Sequence, residues 1–248
     1  MPAGRGAKKS VASELELEAL GAPIEVRRHP AARRLTLRVS KTKRAVVITV
    51  PADYRIEEAS KFVRSNLDWV RERLGSVPEP IPFADGARLP LRGRLHEVRF
   101  VGQQRARGVV EIADGGRLPM LKVSGRGEHA PRRLKDWLVE QARSDLDTCV
   151  QMHATKLGAK ARSITLRDQT SRWGSCTANG LLSFSWRLVL APAHVLDYVA
   201  AHEVAHLLEM NHGPRFWKLV ARTMPRLEDA KRWLRNHGAD LHRYGAEP

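Results

Sequence analysis

Apolar positions in this chain change their period several times, and each change marks an element. Between Ile56 and Leu74, Ala59, Val63, Leu67, Val70 and Leu74 recur at three- and four-residue steps, which predicts one amphipathic helix. Ahead of it, "LTLRVS" and "AVVITVP" are apolar or alternating over strand length and are parted by the basic turn "KTKR". Residues 35–51 therefore read as a β-hairpin. Gly75 and the proline-rich "SVPEPIPF" end the helix and form a linker. "RLHEVRFVG", "GVVEIADGG" and "PMLKVSG" follow as short strands divided by glycine turns. A helical period returns from about Pro131 to Leu157, with Leu134, Trp137, Leu138, Ala142, Leu146 and Val150 on one stripe. Pro131 suits its first turn, and Gly158 suits a left-handed cap.

Downstream, "ITLRDQTSRWGSCTANGLLSFSWRLVLAP" reads as two strands joined at Asn179-Gly180, a dipeptide that favours a type I′ turn. Leu182, Phe184, Trp186 and Leu188 are expected on one face, with Ser183, Ser185 and Arg187 on the other. Three helices follow: one from near Pro192, one from about Pro214 to Thr223, and one from about Leu227 to Asn236. Phe216, Trp217, Val220 and Met224 point inward from the second. The pattern gives an α+β fold class. It comprises a disordered tail over residues 1–23, a basic β-rich region over 24–125, and a helical region over 126–248 that contains a hairpin.

The chemistry concentrates in "YVAAHEVAHLLEMNHGPRFW". His202 and His206 are one helical turn apart and can aim two imidazoles at one ion. Zinc accepts neutral imidazole nitrogens and, in a catalytic site, keeps one position open for water. Glu203, beside the first ligand, is placed to act as general base toward that water. On a continuous helix His212 would be rotated about 240° from His206 and could not join them. The helix must therefore stop between the two. Asn211 and Gly213 tolerate the left-handed conformation, and Pro214 begins a helix better than it continues one, so a reversal is expected there. The competing reading is a solvated helix with incidental histidines. Tyr198, Val199, Val204, Leu207 and Leu208 argue instead for burial, where unpartnered imidazoles are rare. His153, His237 and His242 read as surface residues, and Trp217 as support beneath the site.

Charge adds a second theme. The chain carries 43 Lys and Arg against 27 Asp and Glu, a formal net charge of +16. Such an excess suits nonspecific contact with nucleic acid through the basic N-terminal half, or simply a solvated basic surface. The two cysteines, Cys149 and Cys176, form no CxxC pair and read as free thiols. No apolar run approaches the roughly 20 residues that span a bilayer, and the first residues lack a secretory apolar core. A cytoplasmic protein without a membrane partner is expected, and the oligomeric state is not readable.

"HEVAHLLEMNHGPRFW", preceded by "SRWGSC" and an aromatic strand, resembles the YgjP-like metallopeptidases, zincin-type proteins distantly similar to SprT-like proteases. The resemblance covers about residues 24–240 and is most specific over 171–217. It implies a zincin-like C-terminal region, a zinc ion held by His202, His206 and His212, Glu203 as base, and a peptide or protein substrate. The spacing also matches the metzincin pattern, except that Glu209 stands where that pattern has Gly. By analogy with zincins, the "RWGSC" strand is a candidate edge for pairing with substrate, with Arg172 and Trp173 as substrate-binding residues. Packing alone would equally account for Trp173, and a bulge for Gly174.

Overall fold

The structure, a computed structural model, describes residues 22–40, 42, 44–102, 108–114 and 116–246. The expected tail lies almost wholly outside these residues. The chain divides into two compact units, at Pro78 and Glu79.

In the first unit, strands β1 (Ile24–Arg28), β2 (Thr36–Ser40) and β3 (Ala45–Val50) form a sheet of order β1-β3-β2. β2 and β3 make the expected antiparallel hairpin, with Leu37 opposite Ile48. β1, which the sequence pattern did not single out, runs parallel to β3. Helices α1 (Ile56–Arg64) and α2 (Leu67–Gly75) replace the single helix expected over 56–74. The break falls at Ser65 and Asn66, whose Oγ and Nδ2 both donate to the Phe62 carbonyl, at 2.9 and 2.8 Å. Side-chain bonding of this kind offers the backbone an alternative to the helical ladder. Val63, Val70 and Leu74 still meet Val46, Ile48 and Val50 in one small core.

The second unit opens with β4 (Arg88–Leu91), β5 (Arg94–Phe100), β6 (Val110–Ala113) and β7 (Met120–Val123), in the order β4-β5-β7-β6. Leu89, Val98 and Leu121 of this sheet share a core with Leu134, Leu138 and Leu146 of α3 (Ala130–Leu157). These strands bury their apolar face against the helix that follows them, and the structure places them in the same compact unit as that helix, beginning at Glu79. Gly158 caps α3 with φ +68°, as its position suggested.

Strands β8 (Ser163–Arg167), β9 (Gly174–Cys176) and β10 (Leu181–Ser185) then form a sheet in which β10 is central. The segment expected to give one strand before the turn thus gives two. β8 runs parallel to β10, while β9 runs antiparallel to it and forms an edge. The turn is not type I′, since only Gly180, and not Asn179, has positive φ. A four-residue connection, Thr177 to Gly180, closes it instead, with the Gly180 N–H donating to the Thr177 carbonyl at 2.9 Å. The expected alternation ends at Ser185. Trp186–Leu190 is a 3-10 turn whose residues are all buried, Arg187 included. Helices α4 (Ala193–Ala205), α5 (Pro214–Thr223) and α6 (Leu227–His237) complete the unit, followed by a 3-10 segment, Gly238–Arg243. No described helix is long and apolar enough to cross a membrane.

Candidate metal centre

α4 is buried on nearly every side. Ala200, Ala201 and Ala205 are inaccessible, so the polar residues it carries into the interior need a reason to be there. The helix ends at His206. Beyond it, Leu207 and Leu208 donate to Val204 and Ala205 in the tighter i→i−3 pattern. The chain reverses over the next residues and enters α5 at Pro214, with Gly213 as an extended N-cap. The expected break is present, but neither Asn211 nor Gly213 has positive φ. A short bend, in which the Gly213 N–H reaches the Asn211 carbonyl at 2.7 Å, makes the reversal without a left-handed residue.

This reversal returns His212 to α4. Its Nε2 lies 3.0 Å from His202 Nε2, and one ligand atom from each of His202, His206 and His212 falls within 4.8 Å of the others. Phe216, fully buried one turn into α5, is the common neighbour of all three. Its ring centroid lies 4.8, 4.5 and 4.7 Å from those of His202, His206 and His212. Trp217 stands farther off, 5.9 Å from His202 and 6.0 Å from His212, with Lys231 Nζ over its ring.

Burial pushes the His202 imidazolium pKa down to about 4, reinforced by His206 and His212. Burial lowers His206 as well, against the opposing effect of its bond to the Glu209 carbonyl. Both rings are therefore neutral near pH 7, the form that ligates metals. Nδ1 of His206 donates to that carbonyl at 3.0 Å, which leaves its Nε2 with a free lone pair. Converging imidazoles, with no carboxylate or thiolate in the group among the described residues, fit a divalent transition metal.

Glu203 is 5% exposed. Burial pushes its carboxyl pKa up to about 7, partly offset by the positive charge of Arg172. Its side chain lies against the bare Cα of Gly174 on β9, where a Cβ would come within 2.5 Å of Glu203 Oε1. Glu203 Oε2 is buried and has no hydrogen-bond partner among the described residues. Tyr198, one turn before His202, is pushed up to about 12 by burial and by the charges of Glu228 and Glu203.

The other candidates sort differently. Arg172 is exposed beside β9. Trp173 packs against Gly238 and tilts over His242, with ring centroids 5.3 Å apart. Cys176 lies outside the histidine group, and its Sγ contacts the Thr177 carbonyl. His153 and His242, expected at the surface, are buried. The first is fixed by Asp197 at 2.8 Å, and the second by its packing on Trp173. His237 is exposed, as expected, and Met224 is buried. Sequence reading overlooked Phe216 as the floor of the site and Gly174 as the gap for Glu203. A glycine inside a strand pattern does signal close approach of another group, and that was the available clue.

A family model described as the YgjP-like metallopeptidase domain matches residues 33–237. None of the curated proteins compared with the chain matches it. Among solved structures, the metallopeptidase zymogen abylysin of Pyrococcus abyssi is similar at 17% identity and a TM-score of 0.34. The match covers 37% of this chain and 93% of that one.

Proposed function

Because this chain belongs to the YgjP-like metallopeptidases, we propose that it hydrolyses peptide bonds with a zinc ion held by His202, His206 and His212, and with Glu203 as general base. The observation that carries this reading is the return of His212 to within 3.0 Å of His202 across a helix break. Among the described residues three imidazoles converge, without a thiolate, which suits an open catalytic site better than a closed structural one. That donor set also argues against a non-catalytic metal-binding module. When bound, the ion would supply Lewis acidity to the scissile carbonyl and to the attacking water.

The chain's own residues do the rest. Glu203, with its proton affinity raised toward neutrality, takes a proton from water and returns it to the leaving amine. β9 is an edge strand and can pair with an extended substrate backbone. Arg172 puts positive charge near the carboxylate, where it can also face a developing oxyanion. The contacts of Trp173 favour a supporting role over direct substrate binding.

Metal analysis of the purified protein should find about one zinc per chain. Glu203→Gln should keep that zinc and lose activity by about 10²–10⁴-fold. Unchanged activity in that variant would exclude Glu203 as the base.

A second role, nonspecific contact with nucleic acid, is favoured by Arg33, Arg34 and Arg38. These lie exposed on and before β2, with no ion pair among the described residues.

A further inference from the structure

Helix α5 divides its residues between two faces. Phe216 and Val220 are buried, and Phe216 underlies the three imidazoles. Arg215, Lys218 and Arg222 are exposed and follow the three- and four-residue spacing of a single stripe. None forms an ion pair with a described residue. The helix dipole favours Arg222, in the last turn, but helix stability does not account for Arg215 and Lys218. Like charges at these spacings repel, and Arg215 stands in the first turn, where the helix dipole disfavours a cation.

These cations line a groove of about 750 Å³ together with Leu208, Glu209 and Leu219. Leu208 also borders a second cleft, of about 460 Å³, to which His206 contributes. The basic groove therefore borders a cleft to which one residue of the metal cluster contributes, and Glu209, whose carbonyl accepts from His206 Nδ1, forms part of its wall. Leu208, the residue shared by the two depressions, is 49% exposed, and Met210 in the second cleft is 48% exposed, so the border between them presents apolar surface.

We propose that this groove is a substrate subsite that selects polypeptide segments in which carboxylates flank an apolar side chain. The inference rests on the peptidase reading above. An apolar side chain would cover Leu208 and Leu219, while neighbouring Asp or Glu side chains would engage the guanidinium groups of Arg215 and Arg222 in paired hydrogen bonds. The apolar part of the lining, Leu208, Leu219 and Ala221, favours a peptide over a phosphate backbone as occupant.

Zinc-loaded Glu203→Gln protein would be titrated with fluorescent peptides in which Leu is flanked by Asp, by Gln or by Lys. The Asp peptide should bind about tenfold more tightly than the Gln peptide. R215E/K218E/R222E should abolish that preference and transfer it to the Lys peptide, a gain that a misfolded variant could not show. A control, R64E/R73E/R126E, changes the net charge equally on exposed positions elsewhere. Equal binding of the Asp and Gln peptides, equal loss in the control, or equal competition by a single-stranded oligonucleotide would overturn the proposal. Binding is read without turnover, so the two failures separate. Selective binding with no cleavage by the wild type would refute the peptidase reading, whereas cleavage without selectivity would refute only the groove.

Discussion

Phe216 shows how one apolar side chain can serve a polar site. His206 spends Nδ1 on a hydrogen bond and keeps Nε2 for a metal, but the buried Nδ1 of His202 has no such partner among the described residues, and a flat ring beneath the three imidazoles fixes their positions without competing for ligand nitrogens. Phe216→Leu keeps an apolar residue there but removes the ring. The expected result is metal binding weakened about 10- to 100-fold with the fold retained, measured by chelator competition alongside circular dichroism. His242 supplies a pH-dependent stability term away from the metal site. Burial, aided by the charge of Arg187, pushes its pKa down to about 4, against about 6.5 when unfolded. The unfolded state then binds more protons between these values. The stability associated with neutral His242 is complete above about pH 6.5 and is lost as pH falls through about 4. The loss amounts to roughly 3 kcal/mol for a residue this deeply buried. His242→Phe should preserve packing on Trp173 and flatten the fall in urea midpoint between pH 7 and pH 4.5, leaving only what other groups contribute.

Elements succeed or fail as catalytic supports by how closely they approach one another. β9 and α4 meet at Gly174, where the strand has no side chain and Glu203 fills the gap. Gly174→Ala would push against Oε1, Cγ and Cδ of Glu203 and displace that side chain, whose buried carboxylate has no partner to lose at Oε2 among the described residues, so the cost should fall on chemistry more than on folding. Activity is expected to drop at least about tenfold while thermal stability changes by no more than about 1 kcal/mol. A loss of stability without loss of activity would mean that Glu203 is not held there for catalysis. The sequence made α5 readable to the residue, because Gly213 and Pro214 mark its start and Phe216 and Val220 its inward stripe. His202, His206 and His212 were likewise readable, since four-residue spacing and a necessary break are local facts. The conformation of that break was not, because several bends can satisfy the same residues. The split between α1 and α2 was hidden by an apolar stripe that stays in phase across Ser65 and Asn66. β1 pairs in parallel with a strand some twenty residues away, and the burial of His153 depends on Asp197, 44 residues distant. Neither partner can be found from periodicity near the residue itself.

At the scale of the molecule, the apolar residues segregate into two cores with no shared members. One is drawn from Ile24 to Leu74 and the other from Phe83 to Leu241. The histidine cluster and its supports lie wholly within the second unit. A fragment beginning at Glu79 should therefore fold and bind zinc, and the metal should raise its thermal midpoint because only the folded state presents converged imidazoles. The first unit carries the exposed Arg33, Arg34 and Arg38, and it has no part in the metal cluster. If its charge serves nucleic acid, binding by the whole chain should weaken steeply with salt, and changing these three arginines to glutamine should reduce the slope of log K against log[salt] by about two to three. The fragment from Glu79 should then show the shallower dependence while retaining peptidase activity. Equal nucleic-acid affinity and equal salt slope in the fragment and the whole chain would remove that role from the first unit. The net charge of +16 would then be a property of the surface at large.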